Sequence, residues 1–194
     1  MEERVLRADA ARNRERILAA AEQVFSERGL DASVADIARR AGVGKATVFR
    51  SYATKEDLIA AIACERVRWV EGLTDEALEQ PDAWFAFKDL LMDLARRHAT
   101  DFTHLEALAR QSDAPKLAAA RAATNAALRK LMERAKAEGH MRADATPEDL
   151  RVLFHGVTQS LDDDARHDVA VWTRWAVLFA AALSADPEGG GANG

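Results

Sequence analysis

Apolar positions along the first sixty residues recur every three or four places and are interrupted by three glycines. Ile17, Leu18, Ala21, Val24 and Phe25 fall on one face of a helix over residues 10 to 28, and Gly29 follows as its stop. Ser33-Val34-Ala35-Asp36 has the spacing of a capping box, in which the serine oxygen accepts the Asp36 amide. It opens a helix with Ile37, Ala38 and Ala41 inward that ends at Gly42. Gly42-Val43-Gly44 leaves room only for a sharp change of direction, with Val43 as its apolar pin. A second short helix is predicted from Lys45 to about Tyr52, Val48 facing inward and Lys45, Thr47 and Arg50 outward. Thr54-Lys55-Glu56-Asp57 is another capping box and launches a longer helix through Leu58, Ile59, Ile62 and Val70.

Further helices are predicted near 65–79, 82–98, 101–111, 116–138, 147–161 and 166–184. Gly139 stops one of them, Thr146 caps the next, and Pro147 occupies its first turn. With hydrophobic residues at 48%, few β-branched runs and only 4 prolines, the pattern predicts an all-α fold. The expected organisation is a helix-turn-helix domain over 10–55, a larger helical domain over 56–185, and flexible tails at 1–9 and 186–194.

Net charge is −5, which argues against a nucleic-acid partner until its distribution is considered: residues 1–60 carry +1 and the remainder −6. From Ile37 to Lys55 there are five bases (Arg39, Arg40, Lys45, Arg50, Lys55) and no acid. Two short helices joined by a glycine turn and buttressed by a preceding helix form the helix-turn-helix unit, whose second helix enters the major groove of DNA. An ordinary helical corner would not need an acid-free basic stretch on a helix too short to add much core.

The string from Ser33 to Leu58 resembles the DNA-binding domain of the TetR family, and with the first helix the likeness covers about residues 12 to 62. That resemblance implies a homodimeric regulator, usually a repressor. Carried over by position, it implies that Lys45, Ala46, Thr47 and Arg50 face base edges or nearby phosphates, while Ser33, Phe49, Ser51, Tyr52 and Lys55 hold the DNA backbone. Hydroxyls and Lys suit phosphate oxygens, and a major-groove Arg can pair bidentately with guanine. Gly44 departs from the family, which most often has Ser there; one side-chain cap is thereby lost, although Gly is an acceptable N-cap. The passage from Ala137 to Leu150 also resembles that between late helices of family members. In the family, the middle segments line a ligand cavity. The resemblance therefore implies Trp84, Phe87, Leu91, Leu94, His98, Phe102, His104, Leu105 and Leu108 as candidate ligand-binding residues, although aromatic residues at helical spacing are commonly core. The last two helices pair with their mates in a dimer interface, here assigned to the stripe Leu150, Leu153, Phe154, Val157 and Leu161 and to Trp172, Trp175, Leu178 and Phe179 of a strongly apolar final helix.

Competing chemistries are set aside on the residues. Gly42-Val43-Gly44-Lys45 lacks the first glycine, the hydroxyl residue and the preceding strand of a phosphate loop. Cys64 stands alone among Ile62, Ala63 and Val67 and reads as a small buried thiol, fitting a reducing cytoplasm. Asp162-Asp163-Asp164 with His167 reads as a solvated connection between helices in preference to a metal site. Arg4, Arg7, Arg12 and Arg14, weighed as minor-groove contacts, are diluted by Glu2, Glu3 and Asp9 and read as a solvated end. The start lacks the basic region and apolar stretch of a signal peptide, and the longest apolar run, Trp175 to Leu183, is far short of the roughly 20 residues that span a bilayer. No catalytic residues, metal or cofactor are expected. The expected function is a ligand-responsive repressor: a homodimer on a palindromic double-stranded operator, with its recognition helices roughly 34–36 Å apart, and a small, mainly hydrophobic ligand as inducer. The alternatives are a DNA-binding protein without an inducer, activating or organising the chromosome, and a helical enzyme, which no motif supports.

Overall fold

The computed structural model describes residues 2–29, 31–100 and 115–185; among these the chain is helical apart from turns and one isolated bridge. In order, the helices are α1 (Glu2–Arg28), α2 (Val34–Ala41), α3 (Lys45–Ser51), α4 (Lys55–Leu78), α5 (Ala83–Thr100), α6 (Pro115–Ala137), α7 (Pro147–Ser160), the single turn α8 (Asp163–Arg166) and α9 (Val169–Leu183). The all-α fold is therefore as the periodicity predicts. One boundary differs: residues 2–9, expected as a tail, continue α1. The helix predicted over 101–111 and the tail after 185 lie outside the described residues. No described helix is long and apolar enough to cross a membrane.

The described residues up to Arg66, with 115–118, form one compact unit; 67–100 with 119–185 form a second. In the first, Ile17, Ala21, Val24 and Phe25 of α1 pack with Ile37, Ala38 and Ala41 of α2, Val48 of α3 and Leu58 and Ile62 of α4. The Ser33 box is formed in both directions: the Asp36 amide donates to Ser33 Oγ at 3.2 Å and the Ser33 amide to Asp36 Oδ2 at 3.3 Å. α2 stops at Gly42 in the left-handed conformation, φ +64°. A side chain there would also crowd Arg16, whose guanidinium donates to the Ala41 carbonyl at 2.7 Å. The Thr54 box likewise closes, Asp57 N donating to Thr54 Oγ1 at 3.0 Å and Thr54 N to Asp57 Oδ2 at 3.1 Å.

The second unit is built on α5 against α9. Ala83, Phe87, Leu90, Leu91 and Ala95 face Trp172, Ala176, Phe179 and Leu183, while Leu131, Met132 and Ala135 of α6 and Leu150, Phe154 and Val157 of α7 complete the core. Arg134 fixes the α4–α5 connection by donating to the carbonyls of Leu78 (2.5 Å) and Gln80 (2.8 Å). α6 ends at Gly139, φ +77°, and Thr146 and Asp149 box the start of α7 behind Pro147, as expected. Met141 and Ser184 pair in the isolated antiparallel bridge: Arg142 N donates to Leu183 O at 3.0 Å and Ala185 N to His140 O at 2.9 Å.

Candidate nucleic-acid interface

A seven-residue helix is marginal alone in water, so α3 depends on what anchors it. Buried Val48 is that anchor on the inner face. Lys45, Ala46 and Arg50 are exposed, Thr47 is partly so, and Phe49 keeps 43% of its surface in solvent, with Lys45 Nζ 5.8 Å from its ring centre. The outward set predicted from sequence is therefore presented together. Gly44 starts α3 in an extended conformation without a side-chain cap, the loss its departure from the family pattern implies.

Two members of the expected backbone-holding set have side chains engaged within the fold. Tyr52 is only 5% exposed; its ring belongs to the core, and burial pushes its phenol pKa up against the opposing effect of Arg14, which stands 4.9 Å over the ring. Ser33 donates its hydroxyl proton to Asp36 Oδ2 at 2.6 Å, so that proton is used within the cap. Ser51 is half-buried at the end of α3, and Lys55 places its ammonium 5.6 Å from the Phe25 ring centre.

The basic stretch is also less cationic than its sequence reads. Arg39 pairs with Asp36, which also receives Arg28 at 2.9 Å, and Arg40 pairs with Glu27 at 2.5 Å and donates to Gln23 at 3.1 Å. Those acids lie before Ile37 in the chain, on α1 and at the start of α2, so a count from Ile37 to Lys55 misses them. The outward positive charge of α3 rests on Lys45 and Arg50. The Ser33 hydroxyl, then Arg39, hold the Asp36 carboxyl down at about 2. Because this folded-state pKa is depressed, the stabilisation is complete above the ordinary carboxylate value near ~3.9 and is lost as pH falls towards 2. Ser33→Ala should cost ~0.5–2 kcal/mol in chemical denaturation at pH 7 and raise the Asp36 pKa read by NMR titration. An unmoved Asp36 titration would show that the cap does not govern this group.

The family model for bacterial regulatory proteins of the tetR family matches residues 17–62, and that for the C-terminal domain of SbtR-like transcriptional regulators matches residues 80–184, more than half the chain. The chain belongs to the TetR family. It is similar to the TetR transcriptional regulator SCO0520 of Streptomyces coelicolor (30% identity, 89% of this chain and 98% of the other, TM-score 0.63). A TetR transcription regulatory protein of Mycobacterium vanbaalenii is also similar (28%, 92% and 99%, TM-score 0.62). An uncharacterized HTH-type transcriptional regulator of Bacillus subtilis, YvdT, is 48% identical over 67 residues, a match spanning 34% of this chain and 31% of that relative.

In this TetR-family chain the candidate ligand-binding residues among those described lie in or against the core of the second unit. Phe87 and Leu91 are fully buried; Trp84, stacked on Phe87 at 5.7 Å, and Leu94 are half-buried. His98 lies between the rings of Phe154 (4.8 Å) and Trp172 (5.0 Å), its Nδ1 2.9 Å from the Leu94 carbonyl. Phe102, His104, Leu105 and Leu108 lie outside the described residues. The candidate dimer residues divide. Leu150, Phe154, Val157, Trp172 and Phe179 are buried within the protomer, while Leu153 and Leu161 pack against that core and keep part of their surface exposed. Trp175 (37% exposed) and Leu178 do face outward, joined by Val169, Val177 and Val152. Cys64 is buried, and the carboxylate of Asp162 caps α8 at Ala165 N (2.8 Å). Asp82, Glu138 and His140 bring three potential ligand atoms within 4.8 Å of one another, a convergence spread over 58 positions and invisible in the sequence. Both carboxylates bind backbone amides at the start of α5, Asp82 that of Phe85 and Glu138 that of Ala83.

Proposed function

We propose that this cytoplasmic regulator is a ligand-responsive repressor that binds a palindromic operator as a homodimer. The observation that carries the reading is the presentation of Lys45, Ala46, Thr47, Phe49 and Arg50 on the open side of a helix whose inner side is pinned by Val48. Lys45, Thr47 and Arg50 are the base-facing group, and Lys55 and Ser51 the phosphate-facing one. Arg50→Ala or Thr47→Ala should relax sequence preference by ~1–3 kcal/mol, whereas Lys55→Ala should weaken all duplexes alike. Binding of selected and random duplexes at several salt concentrations separates the two; equal losses on both for every variant would refute the assignment.

The outward apolar set Trp175, Val177, Leu178, Val169 and Val152 supports a dimer face on α7 and α9, since a monomer has no use for that many large apolar groups in water. The inducer is a small, mainly hydrophobic molecule received in the second unit beside His98, with Arg97, half-buried over the Trp69 ring at 5.1 Å, as a second polar group. α4 contributes residues to both units and is the element through which ligand and operator are coupled. A compound found by thermal stabilisation should weaken operator binding by the factor by which the operator weakens its own. A stabilising compound that leaves operator affinity unchanged would remove the allosteric part of the reading.

A further inference from the structure

We infer that Arg14, on α1, is a phosphate-binding residue of the DNA interface, and that Tyr52 holds it there. The inference rests on the DNA-binding reading above. A seven-residue helix is about 10 Å long, and the major groove is about 12 Å wide, so a helix of this length seated in the groove leaves both ends within reach of its phosphate walls. Lys45 supplies a cation at the first end. At the other, Tyr52 is the C-terminal capping residue of α3, and its own side chain is in the core. Besides Arg50 in the last turn of α3 and Lys55 beyond it, Arg14 stands at this end, exposed and 4.9 Å over the Tyr52 ring. One N–H of this guanidinium is shared with the Tyr52 phenol oxygen, which leaves its other N–H groups for solvent or for phosphate oxygens.

The other arginines of α1 with described side chains are engaged within the fold. Arg12 pairs with Asp9 at 2.5 Å, Arg16 donates to the Ala41 carbonyl, and Arg28 pairs with Asp36. Among the described residues, no carboxylate forms an ion pair with Arg14, whose neighbour is a neutral ring. Its place on α1, some thirty positions from α3 in sequence, is why the stretch from Ile37 to Lys55 gives no sign of it.

The test uses the full chain and a random-sequence duplex of about 30 base pairs, so no operator need be known. Affinity is measured at 50 and 200 mM NaCl for the unmodified protein, Arg14→Ala, Arg14→Gln and Arg129→Ala, the last removing an equal charge from an exposed position on α6. One lost phosphate contact lowers the salt exponent by about 0.9, so both Arg14 variants should lose about 3.5-fold less affinity across this fourfold salt change than the unmodified protein. Arg129→Ala should follow the unmodified protein. If Arg14→Ala disturbs folding, as its melting curve would show, Arg14→Gln, which keeps a planar group over Tyr52, decides the matter. A folded Arg14 variant with the unmodified salt exponent overturns this inference alone. An unmodified protein without salt-dependent duplex binding overturns it together with the DNA-binding reading.

Discussion

Trp172→Ala is expected to lower stability by about 3–5 kcal/mol, the cost of deleting a fully buried indole and leaving its cavity. The ring has 0% of its surface exposed and joins three elements: it lies 5.0 Å from His98 on α5 and 6.2 Å from Phe154 on α7, stacked at 13° on the latter, while belonging to α9. Phe154 in turn meets Phe179 edge-on at 5.2 Å, so the cavity would open in the middle of an aromatic cluster that cannot easily collapse. Trp172→Phe keeps much of that contact and should lose clearly less. Urea denaturation of both variants, monitored by far-UV circular dichroism, gives the comparison. A loss below 1 kcal/mol for the alanine variant would mean that this cluster does not hold α9 to α5.

Three positions along the same helix, Trp175→Glu is expected to leave the protomer folded and to dissociate the proposed dimer. The Trp175 ring keeps 37% of its surface in solvent, beside Leu178 and Val177, the latter 59% exposed. In a protomer, a carboxylate at this position stays hydrated and costs little. At an apolar seam it would be buried without a partner, a penalty of several kcal/mol; even 3 kcal/mol weakens association about 150-fold. Sedimentation at micromolar concentration should therefore show a dimer for the unmodified chain and a monomer for the variant, with the same helix content. A variant that remains dimeric moves the interface elsewhere, and an unmodified chain that is monomeric removes it. Phe154 offers no such test, because its burial within the protomer would confound unfolding with dissociation.

These two tryptophans show how far the sequence could be read. Periodicity places both on one apolar helix, and that much the structure repeats. Helical spacing alone gives no direction, however, when a helix is apolar around most of its girth: only the partner, here α5, turns Trp172 inward and leaves Trp175 outside. The helix-turn-helix was legible almost residue by residue, because its signals are local. Each capping box spans four residues, the Gly42 turn needs one backbone conformation, and Val48 lies on the same short helix as the groups it exposes. For Tyr52 and Ser33, a hydroxyl near a DNA-binding helix reads as a phosphate contact, whereas the burial of the one ring and the bond of the other hydroxyl to Asp36 become visible only in the structure. The pairing of Arg40 with Glu27 and the stacking of Arg14 on Tyr52 depend on α1 lying against the later helices, which no window of adjacent residues contains.

The bridge between Met141 and Ser184 has a consequence for how this unit opens and closes. A terminal helix ordinarily frays, and its last amides exchange with solvent quickly. Here the amides of Arg142 and Ala185 are bonded across roughly forty intervening residues, so neither bond can form until α7 and α9 have brought the two segments together. The clasp should therefore form late in folding and open early. Deuterium uptake at Arg142 and Ala185 should rise and fall together, and faster than at the buried turns of α5, giving two amides that report the local release of the end of α9 well short of global unfolding.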